Sequence, residues 1–201
     1  MARGGVVAGD ELIVNNEVDV SNTMPADYSF RKLKHLDDLE GARPRVMRVG
    51  RDVVRGPSGR ILSSALWLNN NNLESMRFIT CFVNTLLEAP NQLQWLDFSF
   101  NNIKEIHEDI LKFTNLKILY LHGNCINSLS NVGMLKCLKK LRSLTLHGCP
   151  VETIPFYRQH VISMIPQLKN LDFVTITPKE ANAPPPPGFN AADTELEYED
   201  D

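Results

Sequence analysis

The chain has 201 residues, 43% of them hydrophobic and 22% charged, with a formal net charge of −3. That length gives room for one domain and its tails. No window holds the roughly 18 consecutive apolar residues that a membrane-spanning helix needs, and Met1 to Asp10 lacks the apolar run of a secretory signal. The small net charge hides a segregation. Residues 31–60 carry nine basic and four acidic side chains, whereas the stretch from Thr177 carries one basic against seven acidic. Such asymmetry marks either arms that meet partners of opposite charge or solvated tails.

In chain order, residues 1–24 are polar and are expected to form a disordered tail. Residues 25–60 read as an extended basic arm that opens on Pro25-Ala26-Asp27-Tyr28-Ser29-Phe30. Tyr28 and Phe30 are apolar anchors in a polar segment, so they should dock, either as a cap on the chain's own downstream domain or as a linear peptide inserted into a neighbouring protein. The arginine run from Arg43 to Arg60 has no interleaved aromatics and belongs to no base-reading fold, so nucleic acid is not an expected target. An acidic protein surface, such as the outside of a microtubule (tubulin), suits it better.

Residues 61–176 carry a repeated sentence, L-x-x-L-x-L-x-x-N-x-L. Leu93, Leu96, Phe98, Asn101 and Ile103 fill its slots in one copy, and Leu116, Leu119, Leu121, Asn124 and Ile126 fill them in the next. A later copy has Leu141, Leu144, Leu146, Cys149 and Val151. The first has Ser63 where the opening leucine belongs but keeps Leu66, Leu68, Asn71 and Leu73, and a partial copy starts at Leu168. Periods of 20–30 residues with this pattern are those of the leucine-rich repeat. The reading is an α/β leucine-rich-repeat solenoid of about five parallel strands, each L-x-L placing its leucines inward. The Asn slot falls where the chain turns off the strand, and its amide can satisfy backbone groups there; the thiol of Cys149 does so more weakly. Strand leucines lie 30, 23, 25 and 27 residues apart. The longest step predicts a helix over 74–88, and the shortest a 3₁₀ or irregular return.

The segment from Pro150 to Phe173 reads as a C-terminal cap. Its amphipathic helix carries Tyr157-Arg158, buries Val161, Ile162 and Ile165, and stops at Pro166. Beyond it, Thr177-Pro178-Lys179-Glu180 has the form of a capping box that opens a short helix. The rest of 177–201 is a proline-rich, acidic tail, either a stiff linker or a ligand for another domain.

Strand alternation also gives the outward, concave surface. One row runs Ala65, Trp95, Ile118, Ser143, Asn170; the next Trp67, Asp97, Tyr120, Thr145, Asp172; the third Asn69, Ser99, His122, His147, Val174. Exposed aromatics on a rigid sheet are typical interface anchors. The candidate partner-binding residues are therefore Trp67, Trp95, Asp97, Ile118, Tyr120, His122, Arg142, Thr145 and His147. The competing reading is that the N-terminal arm covers both tryptophans. His122 and His147 fall on adjacent strands about 5 Å apart, too few ligands for a metal. No nucleophile elbow, phosphate loop or zinc motif appears, and Asp97 and Asp172 lie too far apart to work as a carboxylate pair. No enzyme activity and no cofactor are expected. Cys81, Cys125, Cys137 and Cys149 form no C-x-x-C pair and no paired-cysteine cap of the extracellular kind, so a cytoplasmic location with reduced thiols is expected.

Pro25–Phe30, the Ser64–Asn71 block S-A-L-W-L-N-N-N, and the L-Y-L-H-G-N and L-R-S-L-T-L-H-G blocks together resemble the short, cilia-associated leucine-rich-repeat proteins. The resemblance runs from about Pro25 to Lys179, and Cys149 departs from it where Asn is usual. It implies a non-enzymatic structural adaptor of the ciliary or flagellar axoneme, with a protein partner on the concave face. The alternative is a soluble intracellular regulator that binds a phosphatase or a ribonucleoprotein.

Overall fold

The computed structural model describes residues 20, 23–39, 41–45 and 53–188, together with the backbone of 13–14 and 17–18. Seven strands make the main sheet: β3 (Ala26–Asp27), β4 (Ala65–Trp67), β5 (Trp95–Asp97), β6 (Ile118–Tyr120), β7 (Ser143–Thr145), β8 (Asn170–Leu171) and β9 (Val174–Thr175). They lie side by side in sequence order, parallel from β3 to β8, with β9 antiparallel at the far edge. Leu66, Leu96, Leu119, Leu144 and Leu171 stand in one register and are wholly buried. Leu68, Phe98, Leu121 and Leu146 form the next buried row. Each such side chain contributes about 1.5–3 kcal/mol, and no strand of two or three residues could bury its face without its neighbours.

The asparagines act as expected, but across repeats as well as within them. Asn101 Nδ2 donates to the carbonyls of Phe98 (2.9 Å) and Leu68 (3.0 Å), while its Oδ1 accepts from Leu73 N. Asn124 makes the same set with Leu121, Phe98 and Ile103. Cys149 keeps a weaker version: its Sγ lies 3.4 Å from Asn124 N and 3.3 Å from Leu121 O.

The array begins one repeat earlier than the leucine pattern indicates. Ala26-Asp27-Tyr28-Ser29-Phe30-Arg31 occupies the slots of Leu96-Asp97-Phe98-Ser99-Phe100-Asn101. Ala26 pairs with Leu66 and Asp27 with Trp67, and Ala26 and Tyr28 are buried. In both copies the Asp Oδ1 accepts from the Ser N at 2.8 Å and the Ser Oγ at 2.6 Å. In both the Phe is left-handed, φ 57° at Phe30 and 53° at Phe100. Asn71 serves this first repeat as Asn101 serves its successor, donating to Tyr28 O and accepting from Leu33 N. Residues 25–39 are therefore a repeat unit, not an extended arm.

The segment 53–60 is folded too. Ile61 bridges Leu87, Ser58 binds Glu88, and Arg60 reaches Asn84 O. Arg48 and Arg51 lie outside the described residues, as does most of the acidic tail. Within 1–24, expected to be unstructured, β1 (Ile13–Val14) and β2 (Glu17–Val18) form an antiparallel pair, and Val20 packs against Leu62 and Ala89.

On the return side, α1 spans only Ile79–Leu86, shorter than the predicted 74–88. Leu73 and Met76 are wholly buried in the turn that leaves the strand, and Leu87 pairs with Ile61, so both ends are committed elsewhere. Phe78, at φ 66°, opens the helix and donates its N–H to Asp109 Oδ2. The shortest step returns as the 3₁₀ turn Glu108–Lys112, and the next as α2 (Leu129–Gly133) followed by 3₁₀.

The cap helix α3 (Tyr157–Met164) buries Val161 and Ile162, with Ile165 just beyond its end. Arg158 pairs with Glu180 at 2.7 Å and donates to Leu171 O. Glu180 also closes the capping box of α4 (Pro178–Ala181), and these bonds hold its carboxyl down at about 2.

Candidate functional site

The register of β4 to β8 builds the outward surface as two matched rows: Ala65, Trp95, Ile118, Ser143 and Asn170, and beside it Trp67, Asp97, Tyr120 and Thr145. Neighbouring strands lie about 4.8 Å apart, close enough for large rings to touch, and they do. Trp67 and Trp95 meet edge-to-face at 5.1 Å, Trp95 and Tyr120 at 5.8 Å, and Tyr120 meets Phe173 at 5.2 Å. His122 and His147 stack at 4.5 Å with planes 10° apart, and Phe100 stands edge-on to His122 at 5.0 Å. The result is one aromatic track across the sheet. Both tryptophans are half-buried, and their indole N–H groups have no acceptor among the described residues.

Two ring members, Phe100 and Phe173, are absent from the sequence-derived set. Phe100 sits in the left-handed slot that Gly123 and Gly148 occupy in later repeats, and its ring fills the space beside Gly123, where a Cβ would lie 2.7 Å from Phe100 Cδ1. Phe173 is brought in by a reversal of the chain. Asp172 and Phe173, at φ 53° and 63°, make a two-residue hairpin between β8 and β9, a turn that needs positive φ at both positions. Val174 therefore pairs back with Leu171 instead of extending the third row, and Asp172 leaves the second.

The Asp172 carboxylate closes the end of the face. Oδ1 accepts from Leu146 N (2.6 Å) and His147 N (2.9 Å), and Oδ2 accepts from the Tyr157 hydroxyl at 2.9 Å. Burial and that carboxylate push the Tyr157 phenol far above its usual range.

Other expected contact residues sit differently. Thr145 is wholly buried and His122 nearly so, because the paired rings cover the hydroxyl, which lies 2.8 Å from His122 Nδ1. They support the surface instead of presenting it. Arg142 precedes β7 on the rim, its guanidinium turned to the carbonyls of Lys139 and Leu141. Trp67, Trp95, Asp97, Ile118, Tyr120 and His147 remain partly open. Of the docking pair, Tyr28 is 1% exposed in the first repeat, whereas Phe30 is 65% exposed with Arg45 over its ring. Of the segment 25–60, Asp27 stands beside Trp67 as its Cα partner in the sheet.

Burial shifts titrating groups on the face, raising the Tyr120 phenol among them. Desolvation raises the Asp97 carboxyl, against the Ser99 bonds that lower it. Desolvation and the neighbouring His147 lower His122, against Asp172. Among the described residues no three His, Cys, Asp or Glu side chains gather as a metal site, and no helix is long and apolar enough to cross a membrane.

A parallel sheet of repeated L-x-L strands, stacked asparagines and a capped leucine core defines a leucine-rich-repeat protein. The chain belongs to that family, whose model matches residues 66–186. More particularly, it is 42% identical to leucine-rich repeat-containing protein 51 of Macaca mulatta over 166 residues, 81% of this chain and 85% of the relative. Its identity to the Bos taurus protein of the same name is 43% over 153 residues, covering 76% and 79%. In fold it is similar to a chain of the Drosophila melanogaster SNF/U2A′ complex, with TM-score 0.55 and 23% identity, over 81% of this chain and 84% of that one.

Proposed function

We propose that the protein is a structural adaptor that grips a protein partner on its outward sheet face and belongs to the ciliary or flagellar axoneme. The observation that carries the reading is the Trp67–Trp95–Tyr120–Phe173 track: four large rings, each in contact with the next, partly open on the outward face of the sheet. Aromatic residues that lose little freedom on binding make strong anchors. The indole N–H groups, buried without an acceptor among the described residues, carry a cost that a partner's carbonyl oxygens can relieve. The axonemal setting rests on the resemblance to cilia-associated relatives. Arg31, Arg45, Arg55 and Arg60 are bonded within the chain, so contact of the basic segment with an acidic surface such as tubulin falls to its other basic side chains.

A second reading is a soluble regulator that exchanges between partners. The fold shared with a chain of the SNF/U2A′ complex supports it. Tagged protein in a ciliated cell separates the two. An adaptor stays with detergent-stripped axonemes through high-salt washes, and Trp95→Ala combined with Tyr120→Ala releases it. A regulator leaves with the detergent-soluble fraction.

A further inference from the structure

Asp97 is an unusual residue to find in the middle of an aromatic surface. Its Cα is in register with Trp67 on one side and Tyr120 on the other, and Trp95 lies two residues before it on the same face of β5. The three rings touch in sequence, at 5.1 Å and 5.8 Å, so they form a continuous arc around the carboxylate. Only Oδ1 is tied down, by the Ser99 N–H and hydroxyl. No cation among the described residues pairs with Asp97, nor with Asp27 on the far side of Trp67, which is buried and tied to Ser29 in the same way; Asp109, by contrast, has Lys112, and Asp172 has the Tyr157 hydroxyl and two backbone N–H groups. A half-buried carboxylate without a counter-ion is costly, and π-faces beside it attract cations as well.

We propose that Asp97, with Trp67, Trp95 and Tyr120, forms a subsite for the cationic head of an arginine or lysine side chain on the protein partner. This rests on the reading of the face as a protein-binding surface and names the chemistry that one point of the face selects. The rings hold the alkyl stem and the face of the cation, and Asp97 Oδ2 accepts its N–H. From Phe173 to Phe100 the track is acid-free apart from the saturated Asp172, and Asp27 beside Trp67 is buried, so Asp97 is the partly open carboxylate that calls for the partner's positive charge. A neutral side chain would leave Asp97 buried and unpaired, which gives the subsite selectivity as well as affinity.

The chain has two tryptophans, and both are walls of the subsite, so their indole N–H signals report on it directly. Full-length protein is titrated with Nα-acetyl-arginine amide at low ionic strength and followed by NMR, with the lysine amide and the neutral citrulline amide in parallel. Expected are saturable shifts of both indole signals with the cations, little shift with citrulline, and at least about tenfold weaker binding to Asp97→Asn. Asparagine keeps the Ser99 bonds through its Oδ1, so that variant folds; Asp109→Asn serves as a remote control. No saturation, or equal binding by Asp97→Asn, overturns the proposal. Saturation that appears only after Arg48→Ala and Arg51→Ala overturns it too, because the chain's own basic segment is then the occupant. In axonemes, Asp97→Asn that stays bound while the Trp95/Tyr120 variant is lost removes the cation site and leaves the adaptor intact. Arginine binding by a protein that washes out with detergent does the reverse.

Discussion

At the residue scale, single polar side chains hold neighbouring turns together. Asn101 joins four backbone groups from two repeats, so Asn101→Ala leaves buried donors and acceptors unpaired and should cost about 2–3 kcal/mol. The exposed neighbour Asn102 changed to Ala should stay within about 0.5 kcal/mol, and urea unfolding of both variants checks the contrast. Asp97 and His122, both on the face, make stability depend on pH in opposite directions. Asp97 has a folded pKa raised above its ordinary 3.8. The folded state therefore holds its proton longer than the unfolded state, and stability falls as pH rises through that window. Asp97→Asn should accordingly melt higher than wild type at pH 7 and no higher at pH 3. His122 has a folded pKa below 6.5, so the unfolded state takes up the proton first and stability falls as pH drops below that value. In His122→Gln this part of the slope should vanish, a change visible in thermal melts between pH 7 and 5. A residue that destabilises its own fold at neutral pH fits one retained for binding.

At the scale of elements, strand alternation was legible in the sequence, whereas turn geometry was not. Period-two leucines place Trp67, Trp95, Asp97, Ile118 and Tyr120 outward, and the observed register agrees. The first repeat is hidden in the sequence because Ala26 and Tyr28 replace its leucines, Arg31 takes the Asn slot, and 40 residues separate it from Leu66. The signal that could have found it is Asp-Tyr-Ser-Phe at 27–30 against Asp-Phe-Ser-Phe at 97–100. The hairpin at Asp172–Phe173 carries no glycine, the usual mark of positive φ, so only packing against α3 reveals it. Tyr28 and Phe30, adjacent in the motif, should now separate experimentally. Tyr28→Ala removes a wholly buried ring and should cost about 3–5 kcal/mol, while Phe30→Ala should change stability by less than about 0.5 kcal/mol. At the other end, Thr177→Ala breaks the capping box and should weaken α4 by about 1 kcal/mol, seen as faster amide exchange over 178–181.

At the scale of the whole molecule, both ends of the array are sealed by segments that do not match its consensus. Repeat 25–39 covers the β4 edge, and α3 with the β8–β9 hairpin covers β7 and Leu171. A solenoid without its caps exposes apolar rows and an open sheet edge. Deleting residues 1–45 should therefore give a chain that associates in gel filtration, whereas deleting 189–201 should leave a monomeric, cooperatively unfolding protein. The amino-acid sequence by itself determined the solenoid, the orientation of each strand face and the place of the C-terminal cap helix, because those follow from short periods that every repeat restates. Only the tertiary structure decided where the array begins, which outward residues are open, and that Phe100 and Phe173 join the aromatic track. Those depend on contacts between side chains 20 to 40 residues apart, and on left-handed turns held by the packing around them, which no local pattern encodes.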